Sequence, residues 1–138
     1  MTRYMFEAIG TPVPEGSTRA FMVNGRPVIT HVGAPKLTEW RDIIGWSARE
    51  SIKEVHQGAI RIEAVFWMLR PPSVSAKKRP DMTVKPDIDK LARALLDSLT
   101  GIAYRDDSQV VKLTVDKRYC DTSLNQQPGV AVTVLAED

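Results

Sequence analysis

The stretch Lys85-Pro86-Asp87-Ile88-Asp89-Lys90-Leu91-Ala92-Arg93-Ala94-Leu95-Leu96-Asp97-Ser98-Leu99-Thr100-Gly101 decides how this chain is organised. Ile88, Leu91, Ala92, Leu95 and Leu99 recur at intervals of three and four, which gathers them on one helical face. The stripe predicts a helix from Asp87 to Thr100, closed near Gly101. Downstream, Ser108 to Lys117 alternates, with Val111, Leu113 and Val115 on one side and Lys112, Thr114 and Asp116 on the other, as a half-buried strand does. Upstream, Ile60 to Leu69 is rich in β-branched and aromatic residues and is bounded by Gly58 and Pro71-Pro72, so it reads as a central strand.

Further out, Trp40, Ile43, Ile44, Ala48, Ile52 and Val55 predict an earlier helix from Leu37 to about His56, terminated by Gly58. Trp46 projects about 240° around from Trp40, off that stripe. It calls for a second surface: the domain's own loop is the commoner answer, a partner subunit the other. Tyr4 to Ile9 reads as a first strand and Val130 to Leu135 as a last one. Ala20 to His31 reads as a hairpin, because Asn24-Gly25 suits a tight turn with two positive φ angles, and Pro27 confines its strand to an edge. A Pro/Gly/Ser-rich stretch from Thr11 to Ser17 separates the two. The fold class expected is α/β of the α+β kind: a single domain over 1–138, with a mixed sheet and two main helices.

At 138 residues, with 43% hydrophobic and 26% charged residues, the composition excludes a wholly disordered chain and suits one domain with its own core. The longest apolar run, Ala64 to Leu69, is too short to cross a bilayer, and the start at Met1 to Gly10 lacks a signal peptide's apolar stretch. No membrane association and a cytoplasmic location are therefore expected. The single cysteine, Cys120, suits a reducing compartment and reads as incidental. The net charge of +2 is a weak argument for nucleic acid, but its distribution is more informative. Arg70, Lys77, Lys78, Arg79, Lys85 and Lys90 crowd around a few acids, and Pro72 to Pro86 reads as a long basic loop. As a DNA-contacting flap and as a solvated surface loop it is equally well explained.

Asp87 and Asp89 open the central helix. Helix starts favour aspartate, which accepts unpaired amide protons and meets the positive end of the helix dipole, so capping alone explains the pair about as well as any chemistry does. The balance shifts with a second pair, Asp106-Asp107, between the helix and the next strand. If the intervening loop returns along the helix, carboxylates from two segments converge, and magnesium is commonly held by one or two carboxylates with waters and substrate phosphate. Without a cation such a cluster would repel itself. Arg93 lies one turn from both Asp89 and Asp97, so it forms either a surface ion-pair ladder or a cation facing a phosphate.

The segments Lys85-Pro86-Asp87-Ile88-Asp89-Lys90-Leu91, Leu95-Leu96-Asp97-Ser98-Leu99-Thr100-Gly101 and Asp106-Asp107-Ser108-Gln109-Val110-Val111, with Lys117, resemble the RusA family, the Holliday junction resolvases of bacteria and their prophages. The matching block is about a quarter of the chain, and its motifs are specific in combination and spacing. The resemblance implies a homodimeric nuclease that binds branched DNA and cuts opposing strands of a four-way junction using Mg²⁺, with Mn²⁺ as a possible substitute. It places the acidic ligands on Asp87, Asp89 and Asp107. The family pattern often has asparagine where this chain has Lys90, and a catalytic lysine where it has Arg93. Arginine keeps the charge but not lysine's capacity to donate a proton, so electrostatic stabilisation is the role that carries over to Arg93.

The resulting expectation is metal-assisted phosphodiester hydrolysis at Asp87, Asp89 and Asp107, aided by Arg93. Lys77, Lys78, Arg79, Lys85, Lys90 and Lys117 are expected to contact the DNA backbone. The alternatives are a non-catalytic protein that binds branched DNA, and a nuclease for flaps or forks.

Overall fold

The computed structural model describes residues 1–16, 18–31 and 34–137. The chain runs β1 (Thr2–Ile9), β2 (Thr18–Val23), β3 (Arg26–His31), α1 (Ala34–Ser51), β4 (Ile60–Met68), α2 (Ile88–Leu99), β5 (Val110–Tyr119) and β6 (Gly129–Ala136). Four strands form one mixed sheet in the order β1-β6-β4-β5, while β2 and β3 pair separately. In the sheet only β4 and β5 are parallel, and α2 connects them as a parallel pair requires. The expected α+β architecture, a mixed sheet with two main helices, is the one observed.

Alternation along the strands gives the sheet two unlike faces. Phe6, Ala8, Ile60, Ile62, Ala64, Phe66, Val130, Val132 and Val134 are buried with Trp40, Ile44 and Ala48 of α1 and Leu91, Leu95 and Leu99 of α2 in one core. Both helices therefore cover the same face. The opposite face carries Met5, Glu7, Glu63, Val65, Thr114 and Asp116 along a shallow groove. As the sequence suggests, β4 is central, flanked by β6 and β5.

At the hairpin, Asn24 and Gly25 both have positive φ, 51° and 77°, as the primed turn demands. Three expectations are corrected by tertiary contacts. First, α1 ends at Ser51 rather than near His56. Ser51 Oγ donates to the Met5 carbonyl, Lys53 Nζ donates to the Arg49 carbonyl, and His56 leaves the helix to bridge Tyr104. Second, Val111 does not share the face of Leu113 and Val115. The pairing jumps from Ile60↔Val110 to Arg61↔Lys112, so Val111 is bulged out and 60% exposed. Third, Ile88 belongs to the expected stripe of α2 but is 39% exposed, while Leu91, Ala92, Leu95 and Leu99 are buried. Trp46 does not pack on a loop of its own domain: it stands 70% exposed.

Among the described glycines, Gly129 leaves the least room for a side chain. A Cβ there would lie 2.3 Å from the Ala8 carbonyl oxygen, which is backbone and cannot rotate away. Gly129→Ala must part β1 from β6, and a loss of about 1–3 kcal/mol is expected from such overpacking. Urea unfolding would register it as a lower midpoint with an unchanged slope; an unmoved midpoint would contradict the close approach.

Candidate active site

Asp87 is the N-cap residue of α2, with extended backbone angles, yet its side chain makes no capping hydrogen bond. The capping explanation is therefore not realised at this aspartate. Asp89 follows in the first turn, and both side chains are exposed. Two neighbouring carboxylates at the positive end of a helix are hard oxygen donors, a set that suits Mg²⁺ when phosphate and water complete its coordination.

The segment before α2 is held in place by β5. Lys117 Nζ donates to the carbonyl oxygens of Val84 at 2.7 Å and Pro86 at 2.9 Å. Two of its three N–H groups are thus engaged with the chain immediately before Asp87, so Lys117 positions the acidic pair, a role the sequence does not suggest. The basic loop is also tied down. Arg70 lies 4.2 Å over the Tyr119 ring and donates to the carbonyls of Arg79 and Pro80, while Arg79 donates to the Tyr119 hydroxyl at 3.4 Å. Lys77 and Lys78 remain exposed on this loop, and Met82 is buried beneath it.

A cleft of about 320 Å³ opens at Asp87, which lines it together with Pro12, Pro14, Met68, Lys85, Pro86 and Lys90. Its proline side comes from the segment between β1 and β2, which lies across the first turns of α2. The Glu15 amide donates to the Lys90 carbonyl at 3.0 Å, and the Glu15 carboxylate stands 3.6 Å from Arg41 of α1. A methyl group on Gly16 would come within 3.7 Å of Arg93 Nη1, so the same segment passes beside Arg93. Among the described residues, no ion pair joins Arg93 to Asp89 or Asp97, and the surface ladder does not form. Nothing in the composition of Thr11 to Ser17 indicates that this segment lies across α2; Ser17 lies outside the described residues.

The other acidic pair stands at the far end of the helix. After Leu99 the chain turns tightly, with the Gly101 amide donating to Tyr104 and the Ala103 amide to Leu99, and does not run back along α2. With a rise of ~1.5 Å per residue, the twelve residues of α2 separate the two ends by roughly 16 Å. The strand gives a similar result: Val110 to Lys117 spans about 23 Å at ~3.3 Å per residue, and Lys117 is what touches Pro86. Asp107 is thus not brought to Asp87 and Asp89 within one chain. Among the described residues, no group of three acidic, histidine or cysteine side chains is placed to hold a metal ion.

Asp106 and Asp107 have different roles at that far end. The Asp106 side chain accepts from the Ser108 amide at 2.9 Å, and Gln109 Oε1 accepts from the amides of Arg105 and Asp106, a reciprocal cap on the short 3-10 turn Asp107–Gln109. Hydrogen bonds from Ser108, its backbone amide first, hold the Asp106 carboxyl below its usual range. Gln109 Nε2 donates in turn to the carbonyls of His56 and Gly58. Asp107 begins the turn with its carboxylate exposed. Nearby, the Tyr104 hydroxyl donates to the Leu96 carbonyl at 2.7 Å, and burial, with the charge of Asp107 adding to it, pushes its pKa well above the ordinary range. Cys120 is buried, and burial pushes its thiol up as well, which fits an unreactive side chain.

An exposed carboxylate pair on a helix start, set among lysines at the ends of two parallel strands, defines an α+β protein suited to a phosphodiester substrate. Residues 10–134 match the family model described as Endodeoxyribonuclease RusA. The chain belongs to that family and is an endodeoxyribonuclease. It is also 29% identical over 140 residues to uncharacterized protein YqaN of Bacillus subtilis (strain 168), covering 94% of this chain and 93% of that protein. No helix among the described residues is long and apolar enough to cross a membrane.

Proposed function

We propose that this endonuclease resolves four-way DNA junctions as a homodimer, in the cytoplasm of a bacterial or phage-infected cell, using Mg²⁺ or Mn²⁺. The observation that carries the reading is Asp87, a helix-capping aspartate whose carboxylate makes no cap, beside Asp89 and a lysine-lined cleft. Asp87 and Asp89 would hold the metal, which when bound supplies a Lewis acid for the phosphate and lowers the pKa of a water. Lys85 and Lys90 hold the flanking phosphates against the cleft. Arg93, unpaired with its acidic neighbours on α2, stabilises charge that develops on the scissile phosphate.

Asp107 enters from a second copy of the chain. One protomer keeps it on the order of 20 Å from Asp87, by the helix and strand lengths above. A two-fold dimer that sets the Asp107 end of one protomer against the Asp87 end of its partner completes two sites at once, and two sites are what paired cuts across a symmetric junction require. Trp46 supports this arrangement. It is exposed and lies with Asp97, Ser98 and Thr100 at the same end of α2 as Asp107, giving a second copy an apolar anchor there.

The direct test offers a synthetic four-way junction, a flap and a fork side by side in Mg²⁺. Paired symmetric cuts in the junction support resolution; preferential cutting of flap or fork changes the substrate; binding without cutting in Mg²⁺ or Mn²⁺ overturns this reading. Lys77 and Lys78 are proposed to touch phosphate. Replacing both by alanine should weaken binding to all sequences alike. It should also reduce the slope of log affinity against log salt by about 1.8 between roughly 50 and 200 mM, at ~0.9 per phosphate contact. An unaltered slope would place the two lysines away from DNA.

A further inference from the structure

The cleft beside Asp87 contains more apolar wall than phosphate binding requires. Pro12, Pro14, Met68 and Pro86 line it together with Lys85, Lys90 and Asp87 itself. A phosphate gains nothing from three prolines and a thioether, and a duplex is too wide to enter. A single nucleobase has two apolar faces and a polar edge, and its backbone carries phosphates on either side. At about 320 Å³ the cleft lies near the lower end of the range for ligand sites, about 300–1,000 Å³, which suits one base rather than a length of chain.

We propose that this cleft receives a nucleobase drawn out of the stack next to the phosphate that is cut. The inference rests on the nuclease reading above and adds a specificity pocket to it. Three features favour it. The walls are preformed, because proline fixes its own φ and the Glu15 amide holds the proline segment to the Lys90 carbonyl. The cost of unstacking is lowest where pairing is already interrupted, as at the centre of a branched junction. Lys85 and Lys90 carry only donors, so they suit both the flanking phosphates and the acceptor atoms on a base edge. The base is held by shape, apolar contact and donor placement, and the cut position then depends on local sequence.

The test places 2-aminopurine at each nucleotide flanking the cut in a synthetic junction and adds the wild-type protein in EDTA, so that binding occurs without hydrolysis. A several-fold rise in fluorescence at one position, absent at the others, is expected. Filling the cleft with Met68→Trp should abolish that rise and reduce the rate ratio between best- and worst-cut sequences by at least tenfold. Pro14→Trp is a second filler, in case the first fails to fold as judged by circular dichroism. A rise at one position that both folded fillers remove supports the pocket, even if the protein proves unable to cut, in which case the nuclease reading alone fails. A protein that cuts junctions with no fluorescence rise at any position, or whose sequence dependence survives a folded filler, overturns the pocket.

Discussion

Asp87→Asn is expected to reduce junction cleavage at least about a thousand-fold, equivalent to ~4 kcal/mol of transition-state stabilisation, while binding to the junction stays as tight or becomes tighter. The asymmetry follows from what the side chain does and does not do. Asp87 makes no capping hydrogen bond, so folding loses only the interaction between its charge and the helix dipole, typically 0.3–1 kcal/mol. Asparagine is itself a good N-cap, which reduces the loss further. Removing a negative charge from a surface proposed to meet phosphates should favour binding. A metal held by Asp87 and Asp89, as proposed, would lose one of its two ligands on this protomer, and such a metal's contribution to the transition state is worth several kcal/mol. Asp106→Asn is the matched control: Asp106 caps a turn, and the variant should cut within a few-fold of wild type. Single-turnover cutting rates and gel-shift affinities for the two variants read the difference. If Asp87→Asn cuts within tenfold of wild type, Asp87 is no metal ligand.

Much of this layout was legible before the structure, because α2 is written in a strict helical stripe and β4 and β6 in residues that suit a sheet. Several of the departures share a cause, a contact far away in sequence. Val55 continues the periodicity of α1, but the bridge between His56 and Tyr104 ends the helix first. Val111 fits the alternation of β5, and only pairing with β4 reveals the bulge. Lys117 has the composition of a DNA contact, yet two of its donors serve Val84 and Pro86. At the site, sequence left capping and ligation at Asp87 balanced, and the structure shows that the side chain makes no cap. The family resemblance pointed to Asp107 as the ligand and left Asp106 without a role, where geometry gives Asp106 the cap. The convergence of Asp107 with Asp87 was the expectation most exposed to error, since the spacing of two motifs constrains how far apart they lie but not the direction in which the loop between them turns.

That direction leads to the second large effect, which concerns mixing two dead proteins. Asp87→Asn and Asp107→Asn are each expected to be inactive alone. If a site takes Asp87 and Asp89 from one protomer and Asp107 from its partner, a mixed dimer concentrates both substitutions in one site and leaves the other with all three aspartates. Random exchange makes half of the dimers mixed, so about a quarter of wild-type sites should reappear under two-fold symmetry. These should nick one strand of the junction rather than cut two, because each mixed dimer has one working site. If instead all three aspartates of a site came from one chain, every protomer in the mixture would carry a defect and mixing would restore nothing. Activity rising from background to a substantial fraction, as single nicks on a denaturing gel after the two proteins have exchanged subunits, therefore separates the two arrangements without a structure of the dimer. Failure to recover any nicking after exchange, shown by mass spectrometry to be complete, would return Asp107 to its own protomer and require the turn after Leu99 to refold toward Asp87 on binding DNA.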